Sequence, residues 1–293
     1  MPEAVQYAFA SWTAPIPLTL TIIASAILYL RGWWHLRSSA VSAIPGWRAA
    51  SFLFGVFLVW LAIGSPLALL DEQLLTAHML QHLLLMTIAP PLLWMGAPLL
   101  PMLHGLPQRF VQSVLGPFLR WPAVQEAGRA LSQPTFCWLA AAAALVGWHI
   151  PAVFNMALQS EWLHVAEHVS FLAAGFLFWW PVIQPWPSVP IWPRWSILLY
   201  LFAATLPCDI LSAYLTFCER VVYPAYLNAP RLFGLSVLKD QERAGALMWT
   251  CVTILYLIPA AQITLELLAP NADGREFGRV DTGGTSSRSS GTK

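Results

Sequence analysis

LLTAHMLQHLLLMTIAPPLLWMGAPLL, residues 74–100, runs for 27 positions without an Asp, Glu, Lys or Arg. About 20 apolar residues suffice to cross the hydrocarbon core of a bilayer as a helix. The segment therefore reads as a membrane span, with Pro90-Pro91 predicting a kink whose freed backbone groups need local partners. The rest of the chain agrees. Of its 293 residues, 58% are hydrophobic and 10% are charged, against about 25% charged in a soluble globular protein. Too little polar surface is present to cover a water-facing body. Sixteen Trp gather near the ends of apolar runs, as in interfacial aromatic belts. A net charge of +1 supplies no attraction for phosphate, so nucleic acid is excluded as a partner and the lipid bilayer takes its place. Four scattered cysteines form no CxxC pair, and Cys208 and Cys218 would stand about 15 Å apart on one helix, too far to bridge.

Working outward, charges and Pro/Gly punctuation delimit seven spans: Pro15–Leu30, Trp47–Leu70, Leu74–Leu100, Pro134–Ile150, Trp162–Ile183, Trp195–Phe217 and Ala244–Leu268. The first lacks the flanks of a cleaved signal peptide and is expected to remain in place. The expected fold is all-α and polytopic, with residues 1–270 as a seven-helix transmembrane domain. The Gly-, Ser- and charge-rich stretch 271–293 reads as a disordered tail. Loop charges orient the bundle. Four Lys/Arg (Arg220, Arg231, Lys239, Arg243) fall on the side holding the N-terminus, and the other eleven fall opposite. The positive-inside rule then places the N-terminus outside and the C-terminus in the cytoplasm.

That orientation gives the histidines meaning. His78 and His82 stand near the outer end of span three, His149 ends span four outside, and His164 and His168 open span five. Each HxxxH pair lies on one helical face, about 6 Å apart along the axis. Met86 continues the His78–His82 stripe, and Met79, Met156 and Met248 are further candidate soft ligands among what is usually packing material. Imidazole and thioether suit copper, and methionine in particular suits Cu(I). Histidines inside a span face a bundle interior or cavity and mark a functional site. Interhelical hydrogen bonding would explain any one of them, but it explains two pairs and a fifth ring at one depth poorly. Glu167 reads as orienting a histidine, or pairing with one, rather than binding metal, and Asp240 as a cap for span seven. Asp71 and Glu72 fall in the short loop before span three, His35 and His104 fit inner-side anchors, and Cys208-Asp209 lie near the outer end of span six.

HMLQHLLLMTIAPPLLWMGAP at 78–98, WHIPAVFNMAL at 148–158, HVAEHVSFLAAGFLFWWPV at 164–182 and DQERAGALMW at 240–249, with YPAY at 223–226, resemble the polytopic CtaG family of cytochrome c oxidase assembly factors. The resemblance covers about two thirds of the chain. It implies a multi-pass protein of the bacterial inner (cytoplasmic) membrane that is needed to make haem-copper oxidase. It also implies copper delivery to the oxidase copper centre rather than enzymatic turnover. The matching residues are His78, His82, His149, His164 and His168, with Asp240, Gln241 and Met248 from the last motif. Implied partners are a haem-copper oxidase subunit and a periplasmic copper donor, and self-association stays open. Cys208 and Asp209 have no place in that pattern. Two other readings stay open as well. Di-iron desaturases and hydroxylases use HxxxH boxes, although they add HH pairs that this chain lacks and face the cytoplasm. A bis-histidine haem protein needs only two facing rings.

Overall fold

A computed structural model describes residues 12–13, 15–37, 44–185 and 192–269. Among them every regular element is helical. The main helices are α1 (Ile16–Arg37), α2 (Gly46–Gly64), α3 (Leu75–Met95), α4 (Leu99–Gly105), α5 (Pro122–Leu131), α6 (Pro134–Trp148), α7 (Pro151–Gln159), α8 (Glu161–Ile183), α9 (Arg194–Phe217) and α10 (Val237–Leu268). Five of these segments are long and apolar enough to cross a membrane. Two further pairs, α3 with α4 and α5 with α6, pass the same test together but bend by 68°. The span count is therefore five to seven. Large apolar side chains cover the outside, among them Ile210, Phe217 and Leu265, a surface suited to lipid rather than water. This is a multi-pass membrane protein. The stretch 271–293 lies outside the described residues.

Four expectations about span boundaries change, one of them the first span, whose helix runs on to Arg37, seven residues past Leu30. The third span ends at Met95 rather than Leu100, because Ala97 takes a positive φ of 46° and the chain breaks before α4. The proline pair does not mark that break. Ahead of it Leu83–Ile88 widen into a π-helical turn, where the Ala89 N–H reaches back to the Leu84 carbonyl. A π turn is a local way to absorb missing amide donors, and helix continues through both prolines. The last span begins at Val237, seven residues before the expected Ala244. Asp240 and Gln241 thus sit in its first turns. The fourth span ends at Trp148, leaving His149 as its C-terminal cap residue.

Helices α9 and α10 form the most extensive pair. α8 packs on α6 and on both halves of α3, α10 lies along the first turns of α3, and α1 docks on α2 and α4 as a flank. The main core runs through Met79, Leu85, Phe154, Phe171 and Phe178, and a second cluster joins Tyr29, Trp33, Phe52 and Leu93. The connection between α9 and α10 is mostly exposed, with three side chains anchoring it. Its Tyr223, Tyr226 and Leu232 are buried between helix ends.

The α3–α8 crossing fixes how close the histidine-bearing faces come. Pro90 has no N–H to offer the Met86 carbonyl, and Gly175 of α8 packs against that carbonyl. A Cβ at Gly175 would come within 2.5 Å of it. Overpacking of this kind costs about 1–3 kcal/mol. Gly175→Val is accordingly expected to lower the unfolding temperature in detergent, whereas Gly128→Ala, where a Cβ meets nothing within 4 Å, leaves it unchanged. Thermal unfolding of the two purified variants checks this.

Candidate metal centre

The sequence puts His78 and His82 on one face of α3 and His164, Glu167 and His168 on one face of α8, as spacings of three and four dictate. The fold turns those faces toward each other. The N-terminal ends of α3, α8 and α10 and the C-terminal end of α6 meet at the same end of the bundle, so His149 joins the group. His78 and Glu167 are fully buried, and His82, His149 and His168 nearly so. Ring centroids lie 4.2 Å apart for His78–His82 and 4.4 Å for His164–His168. They are 5.7 Å apart for His78–His164, 6.0 Å for His82–His149 and 6.2 Å for His82–His168. All five sequence-predicted histidines are in one cluster.

Two carboxylates thread it. Glu167 Oε1 lies 3.4 Å from His82 Nε2 and 3.6 Å from His78 Nε2, and Asp71 Oδ2 lies 3.3 Å from His164 Nε2. These contacts are close but not aligned as hydrogen bonds, so both oxygens of each carboxylate and both nitrogens of His78 and His82 lack a hydrogen-bond partner. Asp71 is fully buried, and among the described residues no Lys or Arg pairs with it or with Glu167. Donors around a tetrahedral ion at about 2.0–2.1 Å stand roughly 3.3–3.4 Å from one another, which is close to the spacings observed. Two three-donor groups result, Asp71–His78–His164 and His78–His82–Glu167, each with donor atoms within 4.8 Å of one another and with His78 common to both. Such sets of carboxylate oxygen and imidazole nitrogen fit a divalent or borderline cation.

A softer half adjoins them. His149 Nδ1 sits 2.7 Å from the Leu145 carbonyl, an acceptor only, so Nδ1 carries the proton. Nε2 is then a lone pair, and it faces the Met79 sulfur at 3.3 Å. Neither atom has a hydrogen to donate. Met86 and Met248 do not reach the carboxylates. They line a cavity of about 40 Å³ beside His82 and His149. Met156 is half exposed and takes no part. Asp209 also stays outside the cluster.

Asp240 and Gln241 need correction. Ser236, not Asp240, caps α10, its hydroxyl accepting from the Lys239 N–H at 3.3 Å. The Asp240 carboxylate reaches across to α3, where it accepts from the Leu75 N–H at 2.6 Å, the Thr76 N–H at 3.3 Å and the Thr76 hydroxyl at 2.6 Å. It caps the helix that carries His78 and His82. The Gln241 amide accepts from the Val222 N–H and donates to the Leu215 and Arg220 carbonyls, which ties down the start of the connection. That connection closes over the cluster. The Tyr226 hydroxyl donates to the Asp71 carbonyl at 2.8 Å, and the Tyr223 hydroxyl donates to the His149 carbonyl at 3.1 Å. Burial pushes both phenols above their ordinary range, with Asp71 and Glu167 adding to the effect at Tyr226, so both remain neutral donors.

Sequence reasoning placed Asp71 in a loop, and Glu167 beside a histidine, as it is found. The structure puts both carboxylates among the imidazoles. No helical periodicity reaches Asp71, because Leu74 is extended and α3 begins only at Leu75. Nothing in the sequence singled out Met79 over the other methionines.

The sequence profile of the cytochrome c oxidase caa3 assembly factor family (Caa3_CtaG) matches residues 27–269. Among curated proteins, the chain is 22% identical over 262 residues to an uncharacterised protein of Mycobacterium leprae, which covers 88% of this chain and 39% of that one. It is 25% identical over 231 residues to uncharacterised proteins of Mycobacterium bovis and Mycobacterium tuberculosis, covering 77% of this chain and 34% of each of theirs. The chain thus spans little more than a third of the length of these relatives. No solved structure matches it. The profile match takes in most of the sequence, and the chain belongs to the cytochrome c oxidase caa3 assembly factor family.

The Asp240 cap gives a direct test of how the site is positioned. Removing a cap costs about 1 kcal/mol, and stranding buried N–H groups adds about 1–3 kcal/mol. Asp240→Ala is expected to lower the unfolding temperature and weaken metal binding at least tenfold, while Asp209→Asn changes neither. Paired thermal melts and metal titrations read both effects.

Proposed function

We propose that this member of the cytochrome c oxidase caa3 assembly factor family binds copper in the outer half of the membrane and passes it to the copper centre of the oxidase. The observation that carries the reading is the pair of buried carboxylates, Asp71 and Glu167, faced by imidazoles whose nitrogens have no other partner. A buried carboxylate without a counter-charge costs several kcal/mol, and a bound cation removes that cost at both positions. Imidazole and carboxylate suit Cu(II), and the adjoining thioethers suit Cu(I). Of the two states we favour Cu(I) as the cargo, since methionine and His149 Nε2 supply its donors.

Under this reading, Asp71, His78 and His164 form the receiving group nearest the loop, and His82, Glu167 and His168 lie deeper. Tyr223 and Tyr226 hold the connection over the entry. Shared membership of His78 in two donor groups lets an ion move by exchanging one ligand at a time, as a carrier requires. The positive-inside rule turns this end of the bundle outward, toward a periplasmic donor. The protein's residues bind, orient and release the ion without a chemical turnover step. The setting is the bacterial inner membrane, with a haem-copper oxidase subunit as recipient.

Elemental analysis of detergent-purified protein supplied anaerobically with Cu(I) tests the proposal. Wild type is expected to retain copper through gel filtration, and the His82→Ala/Glu167→Gln variant to lose it. An equal copper content in the two would overturn the assignment. Buried carboxylates paired with histidines are also the donors of di-iron centres, so iron is measured in the same samples, and iron in place of copper would replace this reading. Because metal binding displaces protons from its imidazole ligands, copper retention is expected to weaken as pH falls.

A further inference from the structure

Beneath the histidine cluster, on the side away from Asp71, the 40 Å³ cavity is lined by sulfur-bearing residues from three helices: Met86 of α3, Cys208 of α9 and Met248 of α10. His82 and His149 form its rim, and the remaining wall is mostly apolar, interrupted by the polar groups of Thr87, Trp138 and Tyr256. We propose that this cavity is a second station, specific for a soft monovalent ion such as Cu(I), to which the carboxylate–histidine cluster delivers. The proposal rests on the reading of that cluster as a copper port.

Methionine and buried cysteine are ordinarily packing material, and packing material fills space. Here the sulfur-bearing residues converge on a void, although close-packed interiors leave few spaces larger than a water molecule. The volume exceeds the roughly 10–15 Å³ that one water-sized occupant needs. Cys208 is buried, and its sulfur makes one long contact, 3.7 Å to the Ser212 hydroxyl. It sits next to Pro207, which lines the same cavity and has no N–H to close the helical bond at that turn. The π-helical turn at Leu83–Ile88 shifts Met86 off the regular stripe of His78 and His82. As a result, Met86 faces the cavity instead of the carboxylates.

The donor sets then change in order along the bundle. Carboxylate and imidazole stand at the end nearest the connection, imidazole and thioether at the His149–Met79 contact, and thioether and thiol in the cavity. Affinity for Cu(I) over divalent ions rises with sulfur. An ion entering through Asp71 and His164 therefore meets progressively softer ligands. The transfer exchanges ligands without change of oxidation state, and Cys208 binds as the thiolate, its proton passing to an imidazole at the cavity rim.

X-ray absorption of the full-length protein loaded anaerobically with Cu(I), and separately with redox-inert Ag(I), tests the station. Sulfur is expected in the first shell of both metals. In Cys208→Ala/Met248→Leu the number of sulfur ligands should fall, with at least a tenfold loss of Cu(I) affinity and unchanged retention of divalent metal. Met248→Leu conserves volume, and Met86→Leu alone serves as a milder variant should the double change impair folding. Metal bound in wild type through nitrogen and oxygen only would overturn the station while leaving the copper function standing. Wild type that binds no copper at all would overturn both.

Discussion

Two carboxylates buried among imidazoles, without a lysine or arginine beside them, set the terms for the rest of the molecule. In a low-dielectric interior an ionised oxygen is tolerated only when a positive charge or several hydrogen bonds compensate it. Asp71 and Glu167 have neither from the described side chains. The protein instead surrounds them with His78, His82, His164 and His168, groups that can hold a cation or a proton. A site of this kind is stable only if its walls are held rigidly, because any loosening would admit water or let the carboxylates part from their partners.

The rigidity comes from residues that touch no histidine nitrogen. Asp240 caps α3 from α10, Gln241 gathers the start of the long connection, and Tyr226 and Tyr223 fasten that connection to the backbone of Asp71 and His149. Phe154 supports the arrangement from below, stacked on Tyr223 at 4.0 Å and in contact with His78 at 4.8 Å. These links join α3, α6 and α10 at one end of the bundle. At the α3–α8 crossing the absence of a side chain at Gly175 lets the two histidine pairs approach. The motif at residues 240–249 is thus tied to function through geometry more than ligation. Its acidic residue holds a helix end, and only Met248 lines the adjoining cavity.

Much of this was legible before any coordinates. Charge depletion set the class, and uninterrupted apolar runs located the helices, with ends off by up to seven residues. Periodicity of four placed His78 with His82 and His164 with His168. The misjudgements share one cause, which is that sequence distance hides partners contributed by other helices. Asp240 precedes an apolar run and so looks like a cap for its own helix, yet its carboxylate serves a helix 165 residues away in sequence. Asp71 looks like a solvated loop residue because nothing local shows that Tyr226 covers it. Met86 looks like the next rung of a histidine stripe, until the π turn shifts it toward Cys208 and Met248.

Amino-acid order alone determined that this chain is a helical membrane protein with its histidines at one depth. Hydropathy and helical repeat are local properties, and water and lipid act on them residue by residue. Tertiary structure decided which oxygen and sulfur atoms join those histidines, because convergence of side chains from separate helices depends on crossing distances, on the break at Ala97 and on caps supplied across the bundle. Those are relations between segments, and no segment encodes them by itself.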